Sequence, residues 1–83
     1  MEGIEGKIKN LFVKLFDVRP DEVTKEANLN DDLGMDSTEM VELTVALEKE
    51  FKVKIKDGEI TNEHSVGDVL RIVENKLNPV DLS

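Results

Sequence analysis

A polar loop passes into the most strongly helical segment of the chain along the stretch Leu33-Gly34-Met35-Asp36-Ser37-Thr38-Glu39-Met40-Val41-Glu42-Leu43. Gly34 allows the backbone a sharp turn just before the helix, at φ angles that other residues avoid. Asp36 and Ser37 are both good helix N-cap residues. Glu39 falls in the first turn, where a negative side chain suits the helix dipole. The stretch therefore predicts a helix that begins at about residue 37.

Ser37 lies at the junction of loop and helix, beside backbone N–H groups that have no partner within the helix. Those N–H groups and the helix dipole favour a phosphate at this position, although Asp36 and Glu39 place negative charge close by. Judged by spacing alone, an N-cap role is the simpler interpretation, because capping serines are common and contribute about 1 kcal/mol. The residues by themselves leave both roles open.

The pattern around Ser37 resembles that of the acyl carrier protein family. The resemblance lies in Asp36-Ser37 after Leu33-Gly34, followed by Val41-Glu42-Leu43 and Ala46-Leu47-Glu48. It extends from about Ile4 to Leu77 in length, helix order and acidity. In that family the serine carries 4′-phosphopantetheine through a phosphodiester, and the thiol of this arm holds an acyl group as a thioester. The resemblance implies that Ser37, with Asp36 beside it, is the attachment position of a 4′-phosphopantetheine cofactor.

The same resemblance implies two further sets of residues. One is a stripe that docks partner enzymes, formed by Thr38, Val41, Glu42, Val45 and Glu48. The other is a cleft that shelters the acyl chain, formed by Met40, Leu43, Leu47 and Ile55, with Ile60 a looser match. Thr38 departs from the family, which usually has leucine after the serine. This departure suggests a specialised bacterial carrier rather than a housekeeping one.

The function that the resemblance implies is that of a carrier and not of an enzyme. The chain would present acyl groups to enzymes of fatty acid, polyketide or related lipid biosynthesis. The implied partners are a phosphopantetheinyl transferase and acyl-loading, acyl-transfer or condensing enzymes with basic docking surfaces. The sequence around Ser37 does not match a serine-hydrolase motif, because Ser37 lacks the glycines of a G-x-S-x-G elbow. The one histidine, His64, precedes a helix N-cap, where a local structural role is common.

Composition agrees with a small acidic globule. The chain has 83 residues, which predicts one domain, and its 39% hydrophobic content favours a folded state. A net charge of −8 argues against nucleic acid or anionic membranes as partners and favours basic surfaces. Without cysteine, any thiol chemistry has to come from an attached group. We expect a cytoplasmic monomer that does not insert into membranes, because neither a signal sequence nor an apolar run of about 18 residues is evident.

Apolar periodicity predicts an all-α fold, a small three-to-four-helix bundle of the acyl carrier protein type. The expected elements are a helix over about 3–16, a long loop over 17–36, a helix over about 37–51, a short turn or helix over about 57–62, and a helix over about 66–77 that Asn78-Pro79 ends. The first apolar stripe closes at either Leu15 or Phe16. Ser65 and Asp68 approximate a capping box for the last helix. Residues 51–55 alternate as a strand does, but an isolated strand has nothing to pair with, so we expect an extended connection.

The helix over 37–51 carries two apolar stripes. Its core face is formed by Met40, Leu43, Leu47 and Phe51. Val41 and Val45 form a second, narrower stripe in line with Thr38. On the residues alone this second stripe is either an edge of the core, since scattered exposed valines are normal, or a docking strip. The family resemblance favours docking.

A calcium-binding loop is the alternative that the spacing allows. Asn28, Asn30, Asp32 and Glu39 fall at positions 1, 3, 5 and 12 of an EF-hand. Leu33 stands where the loop needs its glycine, and the first ligand is asparagine rather than aspartate. The alternative function is therefore a small acidic calcium-binding or protein-interaction domain without a prosthetic group.

Overall fold

The structure, a computed structural model, describes residues 3–77. This part of the chain contains α1 (Ile4–Phe16), a 3₁₀ turn (Pro20–Glu22), α2 (Ser37–Phe51) and α3 (Val66–Leu77), and it contains no β-strand. The predicted all-α fold is thereby confirmed, while the predicted stop at Asn78-Pro79 lies outside the described residues. None of the described helices combines the length and the apolar character that crossing a membrane requires.

Each of the three helices packs against the other two through one apolar face. The side chains that lose all or nearly all solvent contact are Ile8, Phe12, Leu29, Met35, Leu43, Leu47, Val69 and Val73. On α1 the stripe closes at Phe16, whose ring centroid lies 5.9 Å from that of Phe12. Leu15 points away and remains 44% exposed.

The loop between α1 and α2 is fastened to the first residues of α3 and to His64 just before them. Backbone hydrogen bonds run from the N–H of Leu29 to the carbonyl of His64 (3.0 Å) and from the N–H of Val66 to the carbonyl of Ala27 (2.9 Å). Gly67 donates its N–H to the carbonyl of Lys25 at 3.0 Å. A Cβ at Gly67 would come within 3.1 Å of that carbonyl oxygen, so the close approach favours glycine. These bonds, together with the buried Leu29, hold the loop in one position.

Residues 52–65 connect α2 to α3 without a further helix. Lys52 ends α2 in the left-handed region, at φ 57°. Between residues 57 and 62 the chain forms turns, because Gly58 at φ +82° leaves the helical region after a single hydrogen bond from Glu59 N–H to the carbonyl of Lys56. Ile55 lies in a stretch without regular secondary structure and is buried.

The predicted capping box at the start of α3 is present. The hydroxyl of Ser65 accepts the N–H of Asp68 at 3.2 Å, and the carboxylate of Asp68 accepts the N–H of Ser65 at 3.1 Å. Asp68 also pairs with Arg71. The N–H of Ser65 and the Arg71 guanidinium lower the pKa of the Asp68 carboxyl, because both stabilise its charged form.

Candidate functional site

The N-cap of α2 is Asp36. Its carboxylate accepts the N–H of Glu39 at 2.9 Å, and the carboxylate of Glu39 accepts the N–H of Asp36 at 3.1 Å. Ser37 is therefore the first residue inside the helix, its side chain takes no part in this cap, and the residue is exposed. The N–H groups of Ser37 and Thr38 lie at the open end of the helix, where intrahelical partners do not exist.

The backbone beneath Ser37 is held from both sides. Gly34 has φ +65°, the left-handed conformation that the sequence predicts for a sharp turn, and a Cβ there would meet no atom within 4 Å. Glycine is thus required by conformation and not by space. Met35 is buried, and its carbonyl accepts a hydrogen bond from the side-chain amide of Asn62 at 3.2 Å. Ser37 consequently follows a stretch of backbone that is restrained by Met35 and Asn62, and the residue itself is exposed.

An open groove of about 500 Å³ extends from Ser37 along α2. One wall is α2, which presents Met40, Val41, Thr44, Val45 and Glu48. The opposite wall is the irregular segment before α3, which presents Ile55, Lys56, Asp57, Gly58, Ile60, Thr61 and Asn62. The α2 wall from Ser37 to Glu48 is about 16 Å long, since a helix rises 1.5 Å per residue. The geometry can hold an elongated, largely apolar group that starts at Ser37.

The five residues proposed for a cleft fall into two groups in the structure. Met40, Ile55 and Ile60 line the groove. Leu43 and Leu47 are on the core face of α2, are fully buried, and do not line it.

The residues proposed for docking are also divided. Thr38 and Glu42 are exposed, and so are Val41 (63%) and Val45 (42%), which form the rim of the groove. Glu48 is half-buried, because its carboxylate accepts the N–H of Ile55 at 2.9 Å. Glu48 thus fastens the end of α2 to the opposite wall.

Sequence reasoning missed the polar part of the groove. Thr44 contributes to the α2 wall while its hydroxyl donates to the carbonyl of Met40 at 2.9 Å. Thr61 and Asn62 belong to the opposite wall, and Thr61 donates its N–H to Nδ1 of His64 at 3.0 Å. Periodicity within α2 could have indicated Thr44, which lies beside the core face. It could not indicate residues of an irregular segment.

In the candidate calcium loop, the side chains of Asn28, Asp32 and Glu39 accept hydrogen bonds from backbone N–H groups. The amide oxygen of Asn28 accepts the N–H groups of Asn30 and Asp31, and the carboxylate of Asp32 accepts the N–H of Asn28 at 2.6 Å. Glu39 belongs to the cap of α2. Within residues 3–77, no three histidine or acidic side chains come together in a way that could hold a metal ion.

Comparison with known proteins agrees with this geometry. The family described as the phosphopantetheine attachment site matches residues 6–73. The chain is 40% identical over 76 residues to an acyl carrier protein of Thermotoga maritima, covering 92% of this chain and 94% of that protein. It is 43% identical over 72 residues to an acyl carrier protein of Wolinella succinogenes, covering 87% and 95% of the two chains. The exposed serine at the head of a groove thus lies inside a matched region that spans most of the sequence, and the chain belongs to the family of phosphopantetheine-binding acyl carrier proteins.

Proposed function

We propose that Ser37 is the attachment site of a 4′-phosphopantetheine arm and that the chain carries acyl groups on this arm between partner enzymes. The observation that carries the proposal is the position of Ser37. Its side chain is exposed, is not used by the helix cap, and lies where the groove begins. The arm supplies a terminal thiol for thioester formation, which a chain without cysteine does not itself possess. The function is that of a carrier and not of an enzyme.

The residues at the start of α2 fit the phosphodiester that attachment would form. The hydroxyl of Ser37 is accessible to a transferase, and the N–H groups of Ser37 and Thr38 at the helix N-terminus favour a negative group beside them. The Asp36 carboxylate accepts the N–H of Glu39 within the cap at 2.9 Å.

The groove is proposed to shelter part of the acyl cargo. Met40, Ile55 and Ile60 supply its apolar inner surface, with Val41 and Val45 at the rim. Burial of hydrocarbon here would stabilise the folded state by about 25 cal/mol per Å² of apolar area. Leu43 and Leu47 support this surface from the core behind it.

The rim of the groove is proposed to dock the partners. Val41 and Val45 form an exposed apolar strip beside Thr38 and Glu42, on a protein with a net charge of −8. Such a surface fits a basic partner with a small apolar depression, because the charges steer encounter and the apolar contacts hold the complex. We assign this surface to a phosphopantetheinyl transferase and to acyl-loading, acyl-transfer or condensing enzymes.

The same proposal places the chain in the cytoplasm as a monomer that serves fatty acid or related lipid biosynthesis. Thr38 distinguishes it, since a threonine offers a docking partner less apolar surface than leucine and adds a hydroxyl that needs a hydrogen-bond partner when buried. We infer a specialised carrier with a partner matched to threonine.

The attachment is tested by incubating the protein with coenzyme A and a phosphopantetheinyl transferase, followed by intact-mass analysis. One phosphopantetheine should be added to the wild type, and none to Ser37→Ala. Ser65→Ala is the matched control, because Ser65 is also at a helix N-terminus but caps α3, and this variant should be modified. Modification of Ser37→Ala at the wild-type rate would show that Ser37 is not the attachment site.

A further inference from the structure

The wall of the groove opposite α2 is anchored to the core at some residues and exposed at others. Ile55 and Ile60 are buried in the core, and the N–H of Ile55 donates a hydrogen bond to the carboxylate of Glu48 at 2.9 Å. Between them, Lys56, Asp57 and Gly58 line the groove with exposed residues. The middle of this wall therefore has no buried side chain to keep it in position.

Glu59 supplies the missing connection. Its Oε1 accepts the N–H of Lys56 at 3.0 Å, which closes the turn that forms the wall. Its Oε2 lies 2.9 Å from Nζ of Lys76, near the end of α3. A single carboxylate thus joins the turn to a helix of the core.

The Glu59–Lys76 pair is better shielded than a typical surface pair of this protein. The side chains of Glu59 and Lys76 are 31% and 22% exposed, whereas those of Glu5 and Lys25 are 61% and 58% exposed, with a longer N–O distance of 3.8 Å. Lys76 also lowers the pKa of the Glu59 carboxyl, chiefly through their hydrogen bond. Partly buried charges are screened less by salt than exposed ones, so the pair can restrain the turn under ordinary solution conditions.

Taking the attachment and the sheltering groove proposed above as its basis, we propose that the Glu59–Lys76 pair is a clasp that positions the outer wall and thereby limits the length of acyl chain that the groove shelters. The α2 wall is backed by the fully buried Leu43 and Leu47, so it is harder to displace than the exposed turn. We therefore expect the groove to widen by outward movement of the turn around Gly58. A longer chain requires a larger displacement of that turn, so the opposition from the clasp grows with chain length.

Two substitutions release the clasp and leave the turn closed. Lys76→Met removes the cation, keeps most of the aliphatic stem, and leaves Glu59 able to accept the N–H of Lys56. Glu59→Gln keeps one oxygen for that N–H and loses the second acceptor for Lys76. Lys25→Met is the matched control, because it makes the same charge change in the exposed pair with Glu5. Lys76→Arg is the conservative variant that retains a cation for Glu59.

The experiment loads each protein with straight saturated acyl groups of increasing length, verifies loading by intact mass, and measures Tm with and without the acyl group. In the wild type, the rise in Tm on loading should increase with chain length and then level off. In Lys76→Met and Glu59→Gln, the rise in Tm on loading should level off only at a longer chain length than in the wild type. Lys25→Met and Lys76→Arg should keep the wild-type profile.

The alternatives give distinct results. If the ion pair were merely structural, its removal would lower the Tm of the loaded and unloaded forms equally at every chain length. This result would reject the clasp and leave the sheltering groove unaffected. If no chain length raised the Tm of the wild type, both the clasp and the sheltering groove would be rejected. Attachment at Ser37 would be judged separately, by the mass measurement.

Discussion

Asp36 and Glu39 cap α2 reciprocally, each carboxylate accepting the backbone N–H of the other residue, at 2.9 and 3.1 Å. Ser37 lies between them in the sequence and contributes no side-chain bond to this cap. Of the two roles that the sequence allows for Ser37, the N-cap role belongs to Asp36 in the structure. The helix cap does not depend on the serine hydroxyl, which suits the modification that we propose for Ser37.

Removal of the cap and removal of the serine hydroxyl should have different effects on stability. Asp36→Ala should lower the free energy of unfolding by about 1 kcal/mol, because the N–H of Glu39 loses its acceptor. Ser37→Ala should change it by less than about 0.5 kcal/mol, as at other exposed positions. Urea unfolding measures both, with Asp36→Asn as a variant that can still cap. Equal losses for Asp36→Ala and Ser37→Ala would show that the serine shares the cap.

Gly34→Ala should destabilise the protein through backbone conformation. At φ +65° an alanine is strained by about 1–2 kcal/mol, although a Cβ there meets no atom within 4 Å. Gly34→Asn should cost less, because asparagine enters the left-handed region more readily than alanine. Thermal or urea unfolding of the two variants checks this order. An asparagine that costs as much as alanine would contradict the conformational explanation.

Thr38→Leu should strengthen docking to a general fatty-acid ketosynthase. The larger apolar side chain would gain about 1–2 kcal/mol if it became fully buried in the complex. The binding constant measured by calorimetry, and turnover at limiting carrier concentration, report the change. Thr38→Val separates the effect of the hydroxyl from that of the smaller apolar surface, because it removes the hydroxyl and nearly preserves the volume. If the wild type already binds as tightly as a housekeeping carrier and Thr38→Leu has no effect, the inferred specialisation fails.

Glu42→Lys should weaken association with every basic partner, and most strongly at low salt. Glu42 is exposed next to the rim valines, so reversal of its charge opposes the electrostatic attraction that accelerates encounter. Association rates measured between low and moderate ionic strength should converge as salt rises. Glu50→Lys makes the same charge change beside α1, away from the rim, and should have a smaller effect. Equal effects of the two variants would assign the result to net charge rather than to the docking surface.

Acid should destabilise the protein partly through Glu59 and Asp68. Hydrogen bonds from Lys76 and from the N–H of Ser65 are the main causes that lower the pKa values of these two carboxyls in the folded state. A carboxyl whose folded pKa is depressed contributes stability above its unfolded pKa, about 4.3 for Glu and 3.9 for Asp. That contribution is lost as the pH falls through the folded pKa.

The measurement is Tm as a function of pH below about pH 5, where the unfolded carboxyls begin to bind protons. Glu59→Gln and Asp68→Asn should each make the decline shallower. Glu42→Gln, with the same charge change at an exposed position on α2, should retain the wild-type slope more closely. Identical slopes in all three variants would mean that general charge repulsion governs acid unfolding.

The helices could be predicted from the sequence because their signals are local. Apolar residues at helical spacing identified the core face of α2, and Ser65 with Asp68 predicted the capping box that the structure contains. The turn at Gly34 was likewise predictable, since few residues other than glycine adopt positive φ. The proposed attachment position depended on the family resemblance as well, because a serine at a helix start is more often a cap.

Tertiary structure was needed wherever two local signals were equally good or two distant segments met. Asp36 and Ser37 are both suitable caps, and in the structure Asp36 takes the role, with its carboxylate accepting the N–H of Glu39 at 2.9 Å. Val41 and Val45 fitted either a core edge or a docking strip, and they form the rim of a groove. Its other wall comes from an irregular segment whose placement depends on contacts far apart in sequence, such as that of Glu59 with Lys76. Periodicity records which face of a helix is apolar, but the partner that meets that face is set by the packing of the whole chain.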